Sequence, residues 1–309
     1  MAKPVLVALT AAAPLALVGC DSSDNPHLPT DPPTTITKVA TGGFTAPTDA
    51  VASPDGKMFY FAARDEMNEP AIFRTSSEPG STPEVMAAGA PLEMPIGLVM
   101  SCDGATLYIA DLGSDLGAVR ALPTALGGAV SDLGATGMVR PGGLAMAKDC
   151  KTLYATGLTD AGEPALFSMA AAGGAAAVVY KGAPLVAPSG LHIDDDYVAW
   201  VMDNRAHGDT GEGVLFAIPR DGGAATEVAS GLRMGTPGGV SLTAGGGTAV
   251  MPTRDADGNA QLTSVNIQSG EAVQLTAPGM IDPAGLRTAR GAGVFAVVDS
   301  EGGAIYRAE

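Results

Sequence analysis

The chain has 309 residues, with 17 Lys and Arg against 33 Asp and Glu, for a net charge of −16. That balance excludes a sequence-independent grip on phosphate backbones, which takes clustered cations, so no nucleic-acid partner is expected. Gly 42 and Pro 23 make about a fifth of the chain, yet 46% of residues are hydrophobic; general disorder and a coiled coil are both excluded.

Residues 1–20 read MAKPVLVALTAAAPLALVGC. Lys3 gives a positive start, and an apolar run of 15 residues follows from Pro4 to Val18. That is short for a membrane span, which takes about 20 residues, and it suits the core of a signal peptide. Leu17-Val18-Gly19-Cys20 resembles the bacterial lipobox, in which the Cys is lipidated and the chain is cut just before it. The resemblance implies a signal peptide over residues 1–19 and an acylated Cys20 that anchors the chain without spanning the bilayer. The expected location is the cell envelope, on the inner or outer membrane, facing the periplasm or the exterior. In enterobacterial lipoproteins an Asp in the place of Asp21 tends to cause inner-membrane retention. Residues 20–33 are polar and Pro-rich after the Cys, and are read as a tether. His27 lies in it as a solvated residue.

Residues 34–309 are one motif written six times. A Pro-x-Gly-(Leu/Val) signature recurs as Pro95-Ile96-Gly97-Leu98, Pro141-Gly142-Gly143-Leu144, Pro188-Ser189-Gly190-Leu191, Pro237-Gly238-Gly239-Val240 and Pro283-Ala284-Gly285-Leu286. Pro47-Thr48-Asp49-Ala50-Val51 is a degenerate first copy. Successive prolines are separated by 48, 46, 47, 49 and 46 residues. Each unit then repeats the same elements. A turn such as Ser53-Pro54-Asp55-Gly56 leads to a β-rich run, as in Phe59-Tyr60-Phe61 or Leu107-Tyr108-Ile109. A polar loop and a third run follow, as in Ala71-Ile72-Phe73 or Val214-Leu215-Phe216, and a fourth run closes the unit, as in residues 226–231. Short, evenly spaced strands between Gly, Pro and Asp turns predict an all-β chain. Four strands in about 47 residues predict a six-bladed β-propeller with four-stranded blades. The last unit ends after its third strand. Ile36–Gly42 resembles the fourth run of unit four, so the N-terminal strand is expected to complete the last blade and close the ring, leaving no raw edge.

These units resemble the six-bladed propellers of the NHL, SMP-30/gluconolactonase and TolB-like groups, most plainly in Ile218-Pro219-Arg220-Asp221-Gly222-Gly223 and the run after it. The gluconolactonase resemblance would imply a divalent cation held over the central channel by a Glu, an Asn and an Asp. Those positions fall near Pro47, on Ser189 and on Gly238, so the expected oxygen donors are missing. Asp49 is the one carboxylate close to such a position. It reads either as a site residue or as a turn residue bonding its own backbone.

In a propeller the loops between second and third strands share a face with the signature prolines. Here those loops are acidic. The candidate rim residues are Asp49, Asp65, Asp111, Asp203, Asn204, His207, Asp209, Glu212, Asp255 and Asp299. They read as a site for Ca²⁺ or another divalent cation, or for a cationic partner, or else as solvated turns. The segment from Asp203 to Gly213 is the best single patch, although its spacing is not that of a regular Ca²⁺ loop. His192 follows Leu191 on an innermost strand and reads as structural. No nucleophile elbow, zinc-protease motif or phosphate loop is present. The expectation is a monomeric binding or scaffold module for a protein or small-molecule ligand, touching the membrane only through its lipid. A metal-dependent lactonase or hydrolase with relocated ligands is the alternative.

Cys102 and Cys150 fall seven and nine residues after their signature prolines, in equivalent turns of adjacent units. In an exported domain they are expected to form a disulfide.

Overall fold

A computed structural model describes residues 30–113, 116–196, 198–208, 212–235 and 237–309. The expected signal peptide over residues 1–19, Cys20, most of the tether and Asp209 lie outside the described residues. Every regular element among the described residues is a strand. The first, β1 (Ile36–Thr41), precedes unit one, which comprises β2 (Thr45–Ala52), β3 (Met58–Arg64), β4 (Pro70–Ser76) and β5 (Glu84–Ala88). Unit two has β6 (Pro95–Met100), β7 (Thr106–Asp111), β8 (Ala118–Pro123) and β9 (Ser131–Asp132). Unit three has β10 (Leu144–Met146), β11 (Thr152–Leu158), β12 (Pro164–Ala170) and β13 (Ala177–Lys181). Unit four has β14 (Pro188–Ile193), β15 (Val198–Asp203), β16 (Glu212–Pro219) and β17 (Thr226–Arg233). Unit five has β18 (Ser241–Leu242), β19 (Thr248–Arg254), β20 (Ala260–Asn266) and β21 (Ala272–Thr276). The last unit has β22 (Pro283–Thr288), β23 (Phe295–Asp299) and β24 (Ala304–Ala308).

Within each unit consecutive strands pair antiparallel, giving the four-stranded sheets of a β-propeller architecture. Units four and five run together through one backbone pair, Arg233↔Arg254. The last sheet has the order β1-β24-β23-β22. Ile36 faces Ala308 and Thr41 faces Ala304. Just before β1, Thr34 N and Thr35 N donate to Glu309 O at 2.8 and 2.9 Å.

The repeat chemistry of the turns is visible in the first two units. Ser53 Oγ donates to Asp55 Oδ1 at 2.6 Å, and Met58 N donates to Ser53 Oγ at 3.0 Å. Ser101, Asp103 and Thr106 repeat these bonds at 2.6 and 2.9 Å. The Gly after each Asp sits at φ 72° or 73°, where a Cβ is disfavoured. A Ser-x-Asp-Gly phrase thus folds itself into a hairpin before any tertiary contact exists.

The core lies between the sheets, because residues alternate faces along each strand. Among the described residues, each cluster of buried apolar side chains is shared by two neighbouring units. Val51, Tyr60 and Ile72 of unit one meet Leu98, Leu107 and Ile109 of unit two. Units two and three share Tyr108, Leu144 and Phe167. Units three and four share Leu166, Leu191 and Phe216. Trp200 and Met202 meet Val240 and Met251 across units four and five. Leu262 meets Leu286 and Tyr306 across units five and six. Phe59, Phe61 and Phe73 of unit one pack on Ala284, Val298 and Ile305 of the last unit, with Val39 of β1 among them. Burying such a side chain is worth about 1.5–3 kcal/mol.

Cys102 and Cys150 form a disulfide, with Cα atoms 5.7 Å apart. It joins the first hairpin turn of unit two to that of unit three, across the cluster in which Cys102 is itself packed.

Candidate functional site

Three of the rim carboxylates share one structural position. Asp111, Asp203 and Asp299 are the last residues of β7, β15 and β23. All three are fully buried. Asp111 Oδ1 accepts from Met94 N at 2.6 Å and Glu93 N at 3.2 Å, and Arg120 Nε donates to Oδ2 at 2.6 Å. Asp203 accepts from Val186 N at 2.7 Å, Ala187 N at 3.0 Å and Arg205 N at 2.9 Å. Asp299 accepts from Ile281 N at 3.0 Å, Asp282 N at 2.8 Å and Gly302 N at 2.9 Å.

In every case two of the donors are the residues just before the signature Pro. The side chain clamps the segment that leads into the innermost strand. This corrects the rim reading for these three residues: they close strands rather than stand in loops, and backbone N–H groups already occupy their oxygens. In return each clamp holds an apolar side chain outward. Met94 is 39% exposed, Val186 48% and Ile281 52%. Met67 and Leu116, in the second-to-third-strand loops of units one and two, stand out on the same lead-in face. Exposed carboxylates there include those of Glu66, Glu69, Glu93, Asp160, Asp257 and Glu301.

The remaining rim residues divide. Asp65 and Asp255 build hairpin turns. Asp65 Oδ1 accepts from Met67 N and Glu69 N, both at 2.9 Å. Asp255 Oδ1 accepts from Asp257 N and Asn259 N, and its Oδ2 from Asn259 Nδ2 at 2.9 Å. The Asn259 side-chain bond, then that from its backbone, holds the Asp255 carboxyl below its ordinary value. Asn204 turns inward, accepting from Ser189 Oγ at 3.0 Å. His207 turns outward to Glu227 Oε2 at 3.3 Å. Glu212 begins β16, where its backbone faces Arg233. The 203–213 patch is therefore not gathered on one point by its described residues. Among the described residues no three His, Cys, Asp or Glu side chains come together as a metal site.

The centre is built differently. The signature glycines form a collar of close backbone contacts between innermost strands. A Cβ on Gly97 would collide with Gly142 O, one on Gly143 with Ser189 O, and one on Gly285 with Asp49. Only glycine lets these strands approach so closely. Asp49 takes the glycine position of the degenerate first copy. It lies within β2, so the turn reading is corrected. Its Oδ1 accepts from its neighbour Ala50 N at 3.0 Å, but its Oδ2 accepts from Leu98 N of the next unit at 2.8 Å. Burial raises its carboxyl above the ordinary value, against the pull of Arg287.

Arg287 sits on β22, four residues after its signature Pro. Its Nε lies 3.4 Å from Asp49 Oδ2, and its Nη1 donates to Leu191 O of unit four. Arg290, in the turn after β22, donates from Nη2 to Met146 O of unit three at 2.6 Å. Desolvation lowers the Arg290 guanidinium from its ordinary value. His192 and Ser241 hold the position of Arg287 in units four and five, and His192 Nδ1 lies 3.2 Å from Ser241 Oγ. Burial, then the charges of Arg287 and Arg290, push the His192 imidazole down to about 3, so it is neutral near pH 7. Two arginines thus cross the centre and tie units one, three and four to the last. The sequence reading passed over them. The signal for Arg287 was an Arg at a repeat position that is Val51, Val99 and Ala145 in the first three units.

No family profile matches the chain, and no curated protein sequence matches it. Solved structures do. The chain is similar to a chain of the nidogen/laminin complex, with 16% identity, a TM-score of 0.59, and 74% of this chain and 82% of that one covered. A structural-genomics protein from Bacteroides thetaiotaomicron is 14% identical, with a TM-score of 0.62 and coverage of 89% and 72%. A protein described as TolB from Agrobacterium tumefaciens is 17% identical, with a TM-score of 0.54 and coverage of 85% and 90%. At these identities the likeness shows the fold, a β-propeller, and one fold hosts many functions.

Proposed function

We propose that the chain is an exported lipoprotein whose six units form a closed six-bladed propeller, and that it works as a non-catalytic binding module through its lead-in face. The observation that carries this reading is the clamp repeated in alternate units. Buried Asp111, Asp203 and Asp299 fix three lead-in segments, on which Met94, Val186 and Ile281 stand in solvent. Apolar side chains on a rigid base, with carboxylates around them, suit a polypeptide partner that offers apolar anchors flanked by Lys or Arg.

The tether supports the orientation. Thr243, in the β18–β19 turn on the opposite face, donates from Oγ1 to Thr30 O at 3.2 Å. The ten residues from Asp21 to Thr30 reach at most about 35 Å from an acylated Cys20. The face bearing the disulfide then looks toward the bilayer, and the lead-in face looks away. Six-fold closure is supported by the pairing of β1 with β24 and by the apolar cluster shared between the first and last units.

A photo-cross-linking residue placed in cells at Met94 or Val186, and at Leu126 on the opposite face as a control, tests the reading. Adducts with a polypeptide from 94 and 186 alone, weakened by Glu66→Lys with Glu69→Lys, are expected. Equal adducts from 126, or none from the lead-in face, would overturn it. Cys20→Ala should move the protein from the membrane to the soluble fraction; a variant that still requires detergent is anchored elsewhere.

A further inference from the structure

A second site, independent of the lead-in face, lies between units four and five. A cavity of about 330 Å³ opens there between the outer strand β17 and the face of β19, β20 and β21. Ser230, Arg233, Thr253, Gln261, Thr263 and Gln274 supply its polar lining, and Val228 and Val265 its apolar part.

The cavity exists because one repeat position is filled differently. Thr263 faces Met251 across β20 and β19. The same register places Phe73 opposite Phe61, Arg120 opposite Ile109, Phe167 opposite Ala155, Phe216 opposite Val201 and Tyr306 opposite Val297. Four of these are aromatic rings packed into the cluster between units, and the fifth is a long guanidinium. Unit five puts a small hydroxyl where every other unit puts bulk. Protein interiors are close-packed, so a truncation at that point leaves open volume. An apolar filling would remove it, yet the neighbours are Thr253, Gln261 and Gln274.

The lining has its own chemistry. Thr253 and Thr263, both buried, share one hydrogen bond of 2.7 Å between their hydroxyls, which uses one of the two O–H protons. Gln261 Nε2 reaches Thr263 Oγ1 at 3.4 Å. In a chain with 33 Asp and Glu, no carboxylate among the described residues lines this cavity, whereas two arginines do. Both are held in place: Arg233 Nη1 donates to Ala256 O at 2.8 Å, and Arg254 Nη2 pairs with Asp282 at 2.6 Å. The backbone pair Arg233↔Arg254 stitches the two units together beside the opening.

We infer that this cavity binds a polyhydroxylated, neutral or anionic small molecule of monosaccharide size. Hydroxyl and amide groups that both donate and accept match ring hydroxyls, and the two valines match the apolar face of a ring. A lining with arginines and no carboxylate admits a sugar acid as readily as a neutral sugar. The volume is at the small end of ligand pockets, which run from about 300 to 1,000 Å³.

The test titrates the full chain by calorimetry with glucose, galactose, N-acetylglucosamine and glucuronate at millimolar concentration. At least one is expected to bind. Thr263→Phe restores the side chain that three of the other units carry and should weaken that binding at least tenfold while leaving the thermal midpoint unchanged or raised. Gln274→Ala, at the exposed edge of the site, should weaken it several-fold without affecting stability. If none of the four sugars binds, or if the Thr263→Phe and Gln274→Ala proteins bind as the parent does, the inference is overturned. Partner capture on the lead-in face is unaffected by either variant, so the two readings fail separately.

Discussion

Arg287 Nε stands 3.4 Å from Asp49 Oδ2, and both side chains are buried. An ion pair thereby joins the innermost strand of the last unit to that of the first. Pairs taken out of water gain little over an apolar replacement, but losing one partner leaves the other charge uncompensated. Arg287→Met is therefore expected to destabilise the protein by about 3–5 kcal/mol. Arg287→Met combined with Asp49→Ala should recover part of that loss. Urea denaturation of both proteins measures it; equal losses would show that the pair is not coupled.

His192 makes stability depend on acid. Its folded value of about 3 lies below the ordinary 6.5. Unfolded chains therefore take up a proton that the folded chain refuses, and stability is lost as pH falls from about 6.5 toward 3. A tenfold difference in proton affinity between the two states is worth about 1.4 kcal/mol, reduced here because His192 keeps some solvent contact. Asp49, with its raised carboxyl, acts in the opposite sense: its contribution is present at low pH and is lost as pH rises through its folded value. His192→Gln should flatten the stability curve between pH 6 and 4, as read by thermal midpoints. A variant as acid-sensitive as the parent would remove His192 from the explanation.

The disulfide closes a loop of 48 residues. Constraining the unfolded chain over that length is worth roughly 4 kcal/mol in the chain-entropy model. Cys102→Ser with Cys150→Ser should lower the denaturation midpoint accordingly, and dithiothreitol should destabilise the parent but not the variant. Thiol labelling of the unreduced, unfolded chain should find neither of these two cysteines free.

Deleting residues 36–42 removes β1 and exposes the edge of β24 along its whole length. Val39 and Ala40 leave the cluster shared with Phe59 and Phe61 at the same time. The expected outcome is aggregation or a midpoint lowered by ten degrees or more, followed by light scattering during a thermal ramp. A deletion as soluble and stable as the parent would show that the strand is dispensable.

Much of the architecture was legible because the repeat is written in local chemistry. The Pro-x-Gly signature recurs through the chain, the Ser-x-Asp-Gly turn is written out in the first two units, and a period near 47 leaves room for four strands. The partnership of Ile36–Thr41 with β24 was visible from a likeness between two short runs. The candidate sites were less legible. A loop rich in Asp looks the same in sequence whether its carboxylates face water or are taken up by backbone N–H groups, and Asp111, Asp203 and Asp299 proved to be of the second kind. Arg287 was obscured because its importance depends on Leu191 and Asp49, which lie 96 and 238 residues away. The gap beside Thr263 is a missing side chain, and it shows only when the six units are laid on one register.

The pairing of β1 with β24 also sets an order of events during synthesis. Thr35 leaves the ribosome long before its partner Glu309, 274 residues later. Until then the first strand has nothing to lie against, and the last sheet is incomplete. Unit one can form its hairpins early, but its aromatic face, Phe59, Phe61 and Phe73, stays uncovered until the final strands arrive. The newborn chain is thus held open until β24 is made and can pair with β1.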